Sequence, residues 1–238
     1  MNAKILKEVR EELKKHIDKE YAERSLKYHK EPVNFLGVRT PIVRNIAKKY
    51  FKRIDNLSKE NIFALSEELF KSGPSEEKTI AISWASQLMD QMNESDFRIL
   101  EDWFDNYITD WGKCDDFCLN LISHFIVKFP SCKDKIKTWS KSPNLWKRRA
   151  SAVAFIQGKS WLIYPKYFKD VLEVATILMR DKEDLVQKGY GWMLKVAADT
   201  FQEEVFDFVM KNKSSMPRTA LRYAIEKMPP EKRKKVLA

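Results

Sequence analysis

Two tryptophans, an aspartate and an arginine stand at comparable positions in successive helical segments of this chain. Trp111 and Asp115 occur in DWGKCDDF, Arg149 occurs in WKRRA, and Trp192 occurs in VQKGYGWML. A tryptophan face attracts cations, a carboxylate stabilises developing positive charge, and an arginine binds phosphate oxygens. We therefore take these four as the candidate functional residues.

Each of the four also has a purely structural explanation. A tryptophan at helical spacing is commonly a core residue. Asp115 or its neighbour Asp116, near a helix start, favours the positive end of the helix dipole. Arg149 is equally compatible with a surface arginine or with the partner of a structural carboxylate. Their joint placement on neighbouring helices is what favours a functional site.

Familiar signatures of other chemistries are absent from the sequence. It contains no GxxxxGK[ST] or GxGxxG loop, no HExxH and no GxSxG. The three histidines are scattered, and no histidine motif completes a zinc site with Cys114 and Cys118, which we expect to be buried small apolar residues. We expect no cofactor and no metal.

The charge of the chain favours a polyanionic partner. Lys and Arg number 44 against 34 Asp and Glu, which gives a net charge of +10, and phosphates release counterions when such residues neutralise them. The alternative is a solubility charge spread evenly over the surface. The charged N-terminus and the lack of a long apolar run predict neither a signal peptide nor a membrane span. Three cysteines favour a reducing cytoplasm.

Apolar residues recur at helical spacing almost everywhere, while 6 glycines and 9 prolines leave few turns for strands. Helices are predicted along Ile5–Ile17, from the cap Thr40, and from Ser58 to a stop at Gly73. Further starts fall at Ser75 and Ser95. The remaining predicted helices cover 112–129, 131–140, 144–158, 165–180, 183–199, 201–212 and 216–228.

Every second helix starts near residue 41, 75, 112, 144, 183 or 216, a rhythm typical of helical-pair repeats. Such pairs stack into a curved solenoid because none buries its apolar face alone. The sequence thus predicts one all-α domain over 1–238, with about six helical pairs and a basic tail at 229–238. The second helices of the pairs would line a concave, basic groove.

Four segments resemble the AlkD-type DNA alkylation repair glycosylases, which are built from HEAT-like repeats. They are Tyr28 with FLGVRTP at 35–41, DWGKCDD at 110–116, WKRRAS at 146–151 and VQKGYGWMLK at 186–195. The similarity covers nearly the whole chain in order and spacing. It implies hydrolysis of the N-glycosidic bond of cationic N3- or N7-alkylated purines in double-stranded DNA.

The resemblance also assigns roles to residues of this chain. Asp115, Trp111 and Trp192 match the catalytic cleft of the family. The expected DNA-binding residues are Arg149, Arg148, Tyr28, Arg39 and Lys188. We expect the protein to act as a monomer.

The chain departs from the family pattern at four places. Asp110 stands where some relatives carry a second tryptophan, and Arg39 replaces a glutamine. A lysine contact of the family falls on Gln157, with Lys159 nearby, and Asp116 offers a second carboxylate beside Asp115. A non-catalytic binder of DNA or RNA that uses the same groove is the alternative function, and a protein-binding scaffold is a third.

Overall fold

The computed structural model describes residues 2–238, and they form an all-helical protein. Helices make up 71% of the structure and no strand occurs among these residues, which confirms the predicted all-α class. Within the same range, no helix is both long and apolar enough to cross a membrane.

The chain divides into two compact units, residues 1–121 and 122–238. The helices of the first unit are α1 (Asn2–Lys14), α2 (Lys19–Leu26), α3 (Thr40–Phe51), α4 (Lys59–Ser72), α5 (Ser75–Gln87), α6 (Phe97–Tyr107) and α7 (Trp111–Phe117). A π-helical segment, Cys118–Ile122, follows α7. The helices of the second unit are α8 (Ser123–Lys128), α9 (Cys132–Thr138), α10 (Leu145–Val153), α11 (Phe168–Leu178), α12 (Asp184–Ala197), α13 (Gln202–Asn212), α14 (Arg218–Ala224) and α15 (Pro230–Leu237).

The first unit consists of two layers of helices. In the first layer, α3 lies against α5 and α5 lies against α7. Helices α4 and α6 form the second layer, and α4 packs on α5. Trp84 of α5 is fully buried, and its indole N–H donates to the carbonyl of Ala47 in α3 at 3.0 Å. This bond satisfies the polar end of a large core residue and fixes α5 against α3.

The second unit repeats this layering with α10 against α12 and α12 against α14. Two glycines of α12 make the close packing possible. A Cβ on Gly189 would lie 3.1 Å from Cγ of Arg149 in α10, and one on Gly191 would lie 2.8 Å from the carbonyl oxygen of Ala220 in α14. The helices that the rhythm predicted as neighbours are therefore neighbours within each unit.

Several local predictions are confirmed. The Ser58 hydroxyl caps α4 by accepting from the amide of Asn61, and Gly73 ends that helix at φ 99°. Cys114 and Cys118 are buried and form no disulfide.

Other boundaries are wrong. Thr40 is the first helical residue rather than the cap, and α6 is preceded by a capping box of Asn93 and Asp96 rather than by a Ser95 cap. Helix α2 was not predicted, because none of its residues is buried and no apolar stripe marks it. Helix α10 ends at Val153, five residues before the predicted end.

Candidate functional site

Helix α7 begins at Trp111 because Asp110 caps it. The Asp110 carboxylate accepts the amide of Lys113 at 2.9 Å, and its side chain is buried. The aspartate that replaces a second tryptophan of the family thus closes the first turn of this helix. Beside it, burial lowers the pKa of Lys78, while the charge of Asp110 opposes that shift.

The segment 28–31 holds the Trp111 indole in one orientation. The indole N–H of Trp111 donates to the carbonyl of Tyr28 at 3.4 Å. The His29 ring stacks on the indole, with ring centroids 5.1 Å apart and planes inclined by 14°. Glu31 accepts the Trp111 backbone amide at 3.2 Å and lies 3.4 Å from Nδ1 of His29. One face of the indole is therefore occupied by protein.

Glu31 remains ionised in this position. Burial opposes its ionisation, but hydrogen bonds from the backbone amides of Glu31 and Trp111, together with the hydrogen bond and charge of His29, outweigh burial, so the pKa of Glu31 lies below its usual value. A negative charge is therefore present beside His29 at neutral pH.

A cleft of about 520 Å³ opens beside Trp111 in the first unit. Aromatic rings of the segment 21–35 and of Trp111 line it together with polar side chains from α3 and α7. The residues that matter here are Tyr21, Tyr28, Phe35, Arg44, Trp111 and Asp116. The size and the aromatic walls suit a flat organic group.

The two neighbouring carboxylates of α7 have different surroundings. Asp115 is half-buried and lies one turn beyond Trp111, on the same face of the helix. Asp116 accepts from the side chains of Asn120 at 2.8 Å and Thr79 at 3.1 Å. It also pairs with Lys113 at 3.3 Å and Arg44 at 3.5 Å. Asp116 is thus largely enclosed and is paired with two cations, Lys113 and Arg44.

Two predicted DNA-binding residues lie near the cleft of the first unit. Tyr28 lines it and is 78% exposed, which leaves the ring free to meet a ligand. The Arg39 guanidinium stacks over Tyr21 at 4.8 Å and pairs with Asp18 at 3.2 Å. More than half of the Arg39 side chain is nevertheless exposed.

Arg149 is not a surface arginine. It is 5% exposed, donates to the carbonyl of Leu185 at the start of α12, and packs against Gly189. The Gln-Lys-Gly-Tyr-Gly motif therefore creates the space in which this arginine lies. Arg149 joins α10 to α12.

The other predicted cations of the second unit are also paired. Arg148 contacts Asp181 at 2.5 Å and donates to the carbonyls of Ser142 and Pro143, each at 3.0 Å. Lys188 pairs with Asp184 at 2.7 Å and keeps about a third of its side chain exposed. Arg148 anchors a loop, whereas Lys188 remains accessible to a phosphate.

Trp192 is half-buried and meets a second tryptophan that sequence analysis did not identify. The ring centroids of Trp192 and Trp161 lie 5.5 Å apart, and the ring planes are inclined by 41°. Trp161 sits in the turn closed by the amide of Gln157, which donates to the carbonyl of Leu162 at 3.0 Å. Gln157 itself is buried, and its side chain donates to the carbonyl of Ser123 at 3.3 Å, so it cannot replace the family's lysine.

The structure places Trp111, Asp115 and Tyr28 in the first unit, and Arg149 and Trp192 in the second. Sequence reasoning missed His29 and Glu31, which lie 82 and 80 residues before the start of α7, in a loop without periodicity. The only available signal was their position next to Tyr28.

Comparison with known proteins assigns the family. The chain matches the sequence profile described as DNA alkylation repair enzyme over residues 9–228. It belongs to the DNA alkylation repair enzyme family. This membership confirms the resemblance and names DNA as the substrate of the family. No curated protein matches the chain.

Two solved structures share the fold of this family member. A predicted DNA alkylation repair enzyme from Enterococcus faecalis has 17% identity and a TM-score of 0.78, covering 90% of this chain and 98% of its own. The protein smu.31 from Streptococcus mutans UA159 also has 17% identity, with a TM-score of 0.58 and coverage of 91% and 100%. At this identity the similarity concerns the fold alone.

Proposed function

We propose that this alkylation repair family member is a DNA glycosylase that hydrolyses the N-glycosidic bond of cationic N3- or N7-alkylated purines in duplex DNA. The observation that carries the proposal is the start of α7. There, an immobilised indole and a half-buried carboxylate share one helix face. We assign the reaction to Asp115, which matches the carboxylate of the family's catalytic cleft and lies on the same helix face as Trp111.

The reaction needs little acid catalysis. Alkylation makes the purine cationic, so the bonding electrons of the C1′–N bond leave with the base and neutralise it. Positive charge then develops on the deoxyribose, as in glycoside hydrolysis. Water adds to C1′ and loses a proton. The products are the free base and an abasic site.

Asp115 would stabilise the sugar cation electrostatically and orient the attacking water. The free face of Trp111 would bind the cationic purine and the C–H edge of the sugar, each at about 0.5–2 kcal/mol. The resemblance implies a catalytic role for Trp192 as well. Tyr28, Arg39 and Lys188 are the exposed residues we assign to DNA contact. Arg148 and Arg149 would act mainly by fixing the helices that carry such residues.

The finer features of the fold belong to the same proposal. We infer HEAT-like repeats, a solenoid with a concave basic groove, and a cytoplasmic monomer that needs neither cofactor nor metal. The recurring side-by-side packing of α3, α5 and α7, and of α10, α12 and α14, supports the repeat interpretation. The net charge of +10 supports the groove.

The test is release of free base from duplex DNA containing 7-methylguanine. We expect wild-type protein to release the base and Asp115→Asn to reduce the rate about 100-fold or more, with affinity nearly unchanged. Asp55→Asn removes the same charge from an exposed position and serves as the matched control. Tight binding without release by the wild type would instead support a non-catalytic DNA-binding protein.

A further inference from the structure

The turn between Gln157 and Leu162 presents a tryptophan to solvent. Trp161 is 52% exposed, and among the large hydrophobic side chains of residues 3–238 only Tyr28 is more exposed. Its backbone has φ 51°, the one positive value at a non-glycine residue among residues 2–238. A bulky residue in this conformation is strained, so the turn holds the indole outward against a local preference.

The turn itself is well fixed. The amide of Trp161 donates to the carbonyl of Gln157 at 2.7 Å, and Gln157 is anchored through its side chain to Ser123. The indole therefore projects from a turn that hydrogen bonds hold in place.

Trp161 also continues the aromatic surface of a candidate site residue. Its ring packs against that of Trp192, with centroids 5.5 Å apart, and about half of the Trp161 side chain is exposed to water. Burial of apolar surface is what stabilises a contact between two such side chains. The exposed half of Trp161 contributes nothing to its contact with Trp192, so that contact does not account for it.

The charge around the turn fits a polyanion. Residues 154–169 contain three lysines, Lys159, Lys166 and Lys169, and no aspartate or glutamate. Lys159 and Lys166 are exposed.

We propose that Trp161 is a DNA-contacting wedge, which stacks its exposed indole on a base or sugar at a point where the duplex stack is broken. Proteins that deform DNA insert apolar side chains at such steps, while neighbouring lysines bind the flanking phosphates. The partner class, duplex DNA, rests on the proposed function. The use of Trp161 does not require base release.

The first experiment measures binding of a labelled duplex that carries a single tetrahydrofuran abasic analogue, and of the intact duplex, by fluorescence anisotropy. The test variant is Trp161→Gly, because glycine adopts φ 51° without strain and only the indole is lost. We expect binding to the abasic duplex to weaken about 5- to 150-fold, as for loss of a base–aromatic stack. Binding to the intact duplex should weaken less.

Three controls separate stacking from other effects. Trp161→Phe should restore most of the affinity. Ile177→Ala removes an exposed apolar side chain of the same unit and should change nothing. Lys159→Ala should flatten the salt dependence of binding, whereas Trp161→Gly should leave that slope unchanged, since an indole neutralises no phosphate.

A second measurement does not depend on the stability of the glycine variant. The difference in acrylamide quenching between wild type and Trp161→Phe reports Trp161 alone, and DNA should protect this component. Wild-type affinity of Trp161→Gly for both duplexes, or an unprotected Trp161, would overturn the inference even if the wild type releases 7-methylguanine. Weaker binding by Trp161→Gly in a protein that releases no base would support the wedge and reject the glycosylase. No binding of either duplex by the wild type at low salt would overturn both.

Discussion

The carboxylate of Glu76 binds three consecutive backbone amides of the loop that precedes α3. It accepts from Leu36 at 3.0 Å, Gly37 at 2.8 Å and Val38 at 3.0 Å, and it is 2% exposed. We predict that Glu76→Gln lowers the free energy of unfolding by about 2–4 kcal/mol. The replacement keeps the shape of the side chain and changes only its hydrogen bonding and charge.

The magnitude follows from the geometry. One oxygen of Glu76 serves Gly37 and Val38, and a glutamine oxygen can retain both in weaker, uncharged form. The glutamine amino group would then face the N–H of Leu36, and a buried donor without an acceptor costs about 1–3 kcal/mol. Loss of negative charge in the first turn of α5 adds about 0.3–1 kcal/mol.

Urea denaturation followed by far-UV circular dichroism measures this difference. A thermal melt should show a midpoint lower by about 4–16 °C, at about 2–4 °C for each kcal/mol in a chain of this size. Glu60→Gln is the matched control, since Glu60 also lies in a first helical turn but is exposed. If Glu76→Gln unfolds no more easily than Glu60→Gln, the carboxylate does not anchor this loop and the argument fails.

Two further predictions concern packing and acid stability. Gly191→Ala should destabilise the protein by about 1–3 kcal/mol, because its Cβ would lie 2.7 Å from that of Tyr223; a thermal melt equal to wild type would show that α14 moves freely. Hydrogen bonds from Lys15 and Lys49 lower the pKa of Glu12 to about 2. Because this folded-state pKa is depressed, the stabilisation is present above about pH 4.5 and is lost as pH falls towards 2. Between about pH 4.5 and 2, the free energy of unfolding should therefore fall less in Glu12→Gln than in the wild type. Urea denaturation at a series of pH values measures this, and an equal fall in the two proteins would contradict the assignment.

The sequence predicts much of the helical layering, because that layering depends on local apolar spacing. The helices beginning at residues 40, 75, 111, 145, 184 and 218 follow the predicted rhythm within a few residues. The end of α10 does not, since apolar residues continue at helical spacing through Phe155 and Ile156 while the chain turns back towards Leu162. Only Gly158 marked that turn.

The candidate site is predictable where a motif encodes it and not where distant segments meet. Trp111 and Asp115 follow from DWGKCDD, but their environment depends on Glu31, which reaches α7 from 80 residues away. The burial of Arg149 depends on the space left by Gly189, again a tertiary effect. Net charge alone gave no way to separate such buried arginines from exposed ones.

The two glycines of α12 also bear on how the second unit assembles. Each glycine lowers the helix propensity by about 1 kcal/mol relative to alanine, so the 14 residues of α12 are a poor helix in isolation. The helix is stable because Arg149 lies on one side of it and Ala220 on the other. Folding of α10, α12 and α14 is therefore cooperative, and removal of α14 and α15 would unravel α12 rather than yield a shorter stable array.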